Sequence, residues 1–172
     1  MKRLLLLVLL TIPSFLFAQT NDDRGYIVKV GDNCPDFELT FPNGEETSLD
    51  ALNGKVFMLQ FTASWCGVCR KEMPHIEKDI WQVYKDKGMV VIGVDRGEKA
   101  DVVKAFAEKM KTTYPLALDE DESVFQSFAL AKAGVTRNVL VDRNGKIIYL
   151  TRLFNETEFS ALKQRIAKEF KD

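Results

Sequence analysis

Cys66 and Cys69 are the residues whose type and spacing suit chemistry most directly. They stand three apart, where an apolar run at 56–61 gives way to a segment with helical spacing. A cysteine at a helix start meets free backbone amides and the positive end of the helix dipole, so its thiol ionises more readily. The resulting thiolate is the species that attacks a disulfide. Cys69, almost one turn further on, is near enough to close a ring with Cys66 or to resolve a mixed disulfide. Cys66 is therefore expected to attack and Cys69 to resolve. The other use of a Cys-x-x-Cys pair is half of a zinc site, for which only Cys34 and His75 remain among the Cys and His residues. A purely structural disulfide is a third use, and so short a loop stabilises weakly.

The elements that must position this pair can be read from apolar periodicity. A hairpin is expected from the alternation at 36–41, the turn Pro42-Asn43-Gly44 and a return at 46–49. The run at 56–61, with Gln60 as its one polar residue, reads as a strand buried on both faces. A helix follows the cysteines to about Lys87, kinked by Pro74 and stopped at Gly88. Further strands are expected at 89–94, 116–118, 139–141 and 147–150, with helices at 100–111, 123–130 and 156–170, the last capped by Asn155. Asp142-Arg143-Asn144-Gly145 makes the turn between the last two strands. Alternating strands and helices closed by a hairpin and a helix predict an α/β domain with a mixed central sheet flanked by helices.

The 172 residues carry 46% hydrophobic and 28% charged side chains at a net charge of −1, which excludes a disordered or fibrous chain and leaves no basic footprint for nucleic acid. Three cysteines are too few for a disulfide-stapled miniprotein. Lys2 and Arg3 precede an uncharged, mainly apolar stretch at 4–17 that ends near Ala18. That stretch is too short to span a bilayer comfortably, so 1–18 reads as a secretory signal peptide, 19–31 as a linker and 32–172 as the domain. An uncleaved leader would instead act as an anchor. Export, most simply to the periplasm, lets a thiol pair persist as a disulfide and exchange with other proteins.

The segment Phe61-Thr62-Ala63-Ser64-Trp65-Cys66-Gly67-Val68-Cys69-Arg70-Lys71-Glu72-Met73-Pro74 resembles the active-site segment of the thioredoxin superfamily. Gly31-Asp32-Asn33-Cys34-Pro35-Asp36-Phe37 and Leu52-Asn53-Gly54-Lys55 are similar to the entry of its exported TlpA/ResA-type branch, and Asp142-Arg143-Asn144-Gly145-Lys146-Ile147 to the hairpin near that branch's end. The resemblance implies a thioredoxin-like fold with an added N-terminal β-hairpin, no dissociable cofactor and no metal. It implies a protein that exchanges electrons with protein disulfides, apocytochrome c among the clients, and that is recharged by a membrane electron donor; a monomer is expected. Trp65 would pack beside the thiols, with Gly67, Val68, Thr136 and Arg137 facing the substrate. Glu72 matches an acidic residue that could hold or supply the proton of Cys69, against the plainer reading of a solvated helix carboxylate.

Three departures from the pattern stand out. Thioredoxin has a buried aspartate where this chain has Gln60, which is expected to be a hydrogen-bonded core amide. Thr136 occupies the place of the family's cis-proline, so the loop is either trans and differently shaped or holds a cis bond. Arg137 beside it is expected at the surface, with a charge near Cys66 as the alternative. Cys34 stands where a small apolar residue is usual and is expected to be a buried, inert thiol; His75 is expected on an exposed helix face. A thiol peroxidase is an alternative activity, although Thr62 falls four residues before Cys66 and the peroxidase proline is missing. A redox-inert binding module is the non-enzymatic alternative.

Overall fold

The computed structural model describes residues 24–171. The expected leader and residues 19–23 of the expected linker lie outside them. Seven strands form one sheet: β1 (Glu38–Thr40), β2 (Glu46–Ser48), β3 (Phe57–Thr62), β4 (Val90–Arg96), β5 (Leu116–Asp119), β6 (Arg137–Val141) and β7 (Ile147–Arg152). Their order is β2-β1-β5-β4-β3-β6-β7. β3, β4 and β5 run parallel, while β6, β7, β1 and β2 join antiparallel. The sheet is thus mixed, as the alternation of elements predicts. The N-terminal hairpin extends it through the single pair Thr40↔Leu118.

β3 is the central strand, and all six of its residues are buried. Its alternation feeds two cores. Phe57, Leu59 and Phe61 join Phe125, Phe128 and Val139 on one face, and Met58 joins Met73, Ile76, Val103, Phe106 and Leu162 on the other. The first face is covered by α4 (Ser123–Phe128), and the second by α1 (Gly67–Ile76), α3 (Ala100–Met110) and α5 (Glu156–Glu169).

The long helix expected after the cysteines is broken into pieces. α1 ends at Ile76, a π-helical turn spans Glu77–Trp81, and α2 (Gln82–Tyr84) leads into a 3-10 turn at Lys85–Lys87. Pro74 has no N–H to give the preceding turn, and the wider turn begins three residues after it. Gly88 then closes the segment at φ +88°, a conformation that suits glycine. Asn155 caps α5 by accepting from the Glu158 N–H, as expected.

Residues 24–31, read from composition as linker, lie against the domain. Tyr26 bridges to Ala129, and Gly31 N–H donates to the Ile147 carbonyl. The Tyr26 hydroxyl donates to the carbonyls of Thr151 (2.6 Å) and Asn138 (3.2 Å). Among the described residues no helix is long and apolar enough to cross a membrane.

Candidate active site

The site forms where β3 ends and α1 begins. A tight turn, closed by Cys66 N–H on the Ala63 carbonyl at 3.0 Å, delivers Cys66 to the helix N-cap. There its sulfur accepts the Cys69 N–H at 3.1 Å, so a free helix amide points at the sulfur, as the spacing predicts. Cys66 and Cys69 are disulfide-bonded, with Cα atoms 5.3 Å apart. Cys66 keeps a sliver of exposure at 7%, whereas Cys69 is sealed at 0%. The Cys66 side is therefore the one open to solvent.

Thr136 closes the site from the opposite side. Its hydroxyl lies 3.2 Å from the Cys66 sulfur and 3.3 Å from the Cys69 sulfur. No peptide bond among the described residues is cis, so the loop takes the trans alternative. It offers the thiols a hydroxyl donor that proline lacks. That donor stabilises a thiolate. Thr136→Val, which keeps the shape and removes the O–H, is expected to raise the Cys66 thiol pKa by about half to one unit. Alkylation of the reduced protein across pH reads the shift.

Glu72 is buried, at 1% exposure, which excludes the solvated alternative. It follows Cys69 by three positions on α1 and so shares its face. Its carboxylate accepts from Asn138 Nδ2 at 2.7 Å and from Gln60 Nε2 at 3.4 Å. Burial outweighs these donors and pushes the carboxyl up to about 7. Gln60 is the hydrogen-bonded core amide that was expected, accepting the Tyr114 hydroxyl at 2.7 Å.

Arg137 is a correction. It is not a surface arginine: it is 1% exposed, and its guanidinium lies 4.4 Å from the Tyr26 ring centre and 5.9 Å from that of Phe125. It donates to the carbonyls of Gly134 (3.1 Å) and Arg24 (2.7 Å). Its partners are therefore the docked N-terminal segment and the loop ahead of Thr136, rather than a sulfur. Arg137→Ala is expected to lower stability by about 3 kcal/mol, read as a fall in the urea midpoint, because it empties a buried, hydrogen-bonded site.

Trp65 is 62% exposed and offers a free aromatic face next to Cys66 in the chain. Gly67 is exposed, and Val68 is half-buried against the α4-side core. His75 is exposed as expected, stacked on Phe154 with ring centres 4.8 Å apart. Cys34 is a buried free thiol pushed up to about 12, chiefly by burial, so it is inert near neutrality. Cys34→Ala is accordingly expected to leave disulfide exchange unchanged within about twofold.

Sequence reasoning did not find Ser64, Asp95, Glu98 or the Asn138 contact to Glu72. Asp95 closes an apolar run and Glu98 sits in a polar loop, so neither breaks a local pattern.

The AhpC/TSA family model matches residues 30–150. The chain belongs to this family. Within the same fold it is 31% identical to the thiol-disulfide oxidoreductase ResA of Geobacillus kaustophilus, over 86% of this chain and 83% of that one. Among solved structures it is similar to a Bacteroides thetaiotaomicron chain described as a protein disulfide isomerase, with 55% identity and a TM-score of 0.83 over 86% of this chain and 94% of that one. A thiol:disulfide interchange protein DsbE described from Chlorobium tepidum is 30% identical with a TM-score of 0.73, over 83% of this chain and 98% of that one. These likenesses place the thioredoxin-like architecture beyond the motif itself, over nearly the whole described domain.

Proposed function

We propose that this protein is an exported thiol:disulfide oxidoreductase that reduces disulfides of protein clients. The observation that carries the reading is the Cys66–Cys69 pair at a helix N-terminus, with the outer sulfur held by a backbone amide and the inner one buried. The names of the ResA and DsbE relatives support the same activity.

In the reduced state the Cys66 thiolate attacks one sulfur of a client disulfide. A Cys66–client bond forms, the client S–S bond breaks, and the departing client thiolate takes a proton from water. Cys69 then gives up its proton, with Glu72 as acceptor, and attacks the Cys66 sulfur. This closes the Cys66–Cys69 disulfide and releases the second client thiolate. Two electrons have passed to the client, and a membrane dithiol donor restores the pair. Apocytochrome c is one client of the right kind.

A groove of about 450 Å³ flanks the Thr136 loop, lined by Leu130, Lys132, Gly134, Arg152 and Leu153 among others, and offers a path for a client segment. Leu130 and Leu153 are exposed large apolar residues, as is Trp65. The protein works as a monomer in the periplasm, its pair presented to partners.

The reduction potential of the Cys66–Cys69 pair, by equilibration against dithiothreitol and glutathione buffers, tests the direction. A value near thioredoxin's, about −270 mV, is expected for a reductant. A value near about −180 mV or higher would instead favour an isomerase or oxidase, the reading suggested by the name of the Bacteroides relative. Peroxide consumption no faster than that of free thiol sets the peroxidase alternative aside.

A further inference from the structure

At the active-site end of β4, Asp95 is fully buried opposite Thr62 of β3, and neither of its carboxyl oxygens accepts from a donor among the described residues. An ionised carboxylate without a donor is strongly disfavoured inside a protein, so the neutral acid is the form this place holds. Three residues later, Glu98 takes both donors of Ser64: the N–H at 2.5 Å and the Oγ–H at 2.6 Å. Ser64 is tied on its other side too, because its carbonyl accepts from Arg70 Nη1 at 2.6 Å. Glu98, Ser64 and Arg70 thus form a clasp across the turn that sets Cys66 at the start of α1.

We propose that Asp95, kept as the neutral acid, is a positioning residue for disulfide exchange: while protonated it leaves Glu98 bound to Ser64, and its ionisation sets two carboxylates against each other and opens the clasp. The proton leaves to water and no other covalent bond is made or broken. The inference deepens the exchange reading and rests on it only for the role of Cys66.

Burial first, then the Glu98 charge and the hydrogen bond that a protonated Asp95 shares with the Glu98 carboxylate, push Asp95 up to about 8. The other elements on this face bring further charges: Arg70, Lys71 and Glu72 from α1, Lys99, Asp101 and Lys104 from the start of α3, and the Tyr114 hydroxyl ahead of β5. Among them all, Glu98 is the charge that bears on Asp95. Arg96 is engaged elsewhere, paired with Glu122 at 2.5 Å and lying over the Phe125 ring.

The test uses the oxidised protein, in which neither active-site sulfur titrates. The Ser64 backbone nitrogen shift is followed from pH 5 to pH 9.5 by carbon-detected NMR, which fast amide exchange does not erase. The wild type is expected to show a step centred near pH 8. Asp95→Asn, always neutral and nearly the same shape, is expected to remove it. Glu98→Gln removes the opposing charge and is expected to abolish the same step, which keeps a second arm should Asp95→Asn fold poorly. Glu72 is present in every sample, so its own titration cancels in the comparison. A flat wild-type curve, or a step that survives in Asp95→Asn or in Glu98→Gln, overturns the proposal. No client enters the measurement, so failure of the proposed function would leave this result standing.

Discussion

Cys66→Ser is expected to abolish disulfide exchange, while Cys69→Ser keeps the first attack and strands the client as a mixed disulfide. The asymmetry follows from position. The Cys66 sulfur is the one that solvent reaches, and the Cys69 N–H and the Thr136 hydroxyl both lie within bonding distance of it. These donors stabilise its thiolate, and serine in its place ionises far too weakly to attack. Cys69 is sealed behind it and can act only on a partner already joined to Cys66. Cys34 cannot substitute, because its thiol is buried and stays protonated at neutral pH. Reduced variants incubated with a disulfide client and run on a non-reducing gel give the answer. The expected adduct appears with Cys69→Ser and is absent with Cys66→Ser. An adduct through Cys69 in the Cys66→Ser protein would reverse the assigned roles.

Glu72→Gln is expected to reshape the pH dependence of stability. The folded protein holds this carboxyl at about 7, whereas a solvated glutamate titrates near about 4.3. Below pH 4 the group is protonated in both states and contributes no slope. Between those two values the unfolded chain releases the proton while the folded chain keeps it, so stability falls as pH rises. Above pH 7 both states are ionised and the loss is complete. A raised pKa of that size corresponds to about 4 kcal/mol. Glu72→Gln should therefore match the wild type near pH 4 and exceed it by up to about 4 kcal/mol at pH 8, with the oxidised form followed by urea unfolding at each pH. Equal stability of the two proteins at pH 8 would show that Glu72 is already solvated. The same variant is expected to slow client release by about ten- to a hundredfold, because Cys69 loses its proton acceptor. A rate unchanged by the substitution would restrict Glu72 to a structural part.

The two effects have one origin. A carboxyl three positions after Cys69 on the same helix can exchange a proton near neutrality only because burial has lifted its pKa, and the same burial destabilises the folded state once the group ionises. Asn138 and Gln60 limit that penalty by donating to it.

Much of this was legible in the residues themselves. The strand-to-helix junction at Cys66, the buried run of β3, the hairpins at both ends and the cap at Asn155 are local features, each set by spacing within about ten residues. Periodicity reports them because neighbours along the chain share a face by geometry alone. Element ends were less legible: β4 and β7 each run two residues beyond the expected ends, to Arg96 and Arg152, because strand pairing continues past the last apolar residue.

Contacts between distant segments were not legible. Arg137 reads as a surface residue until Tyr26, 111 positions earlier, is laid over it. A hydroxyl at 136 reads as a lost proline until it meets both sulfurs. The burial of Glu72 and Asp95 and the grip of Glu98 on Ser64 likewise arise from strand order and helix packing. The sequence by itself thus determined the cysteine pair, its place at a helix start and the class of fold, since these follow from local spacing. Only the tertiary structure decided which polar groups surround that pair and in which protonation state, because desolvation depends on what the rest of the chain packs around a side chain, and no local pattern records that.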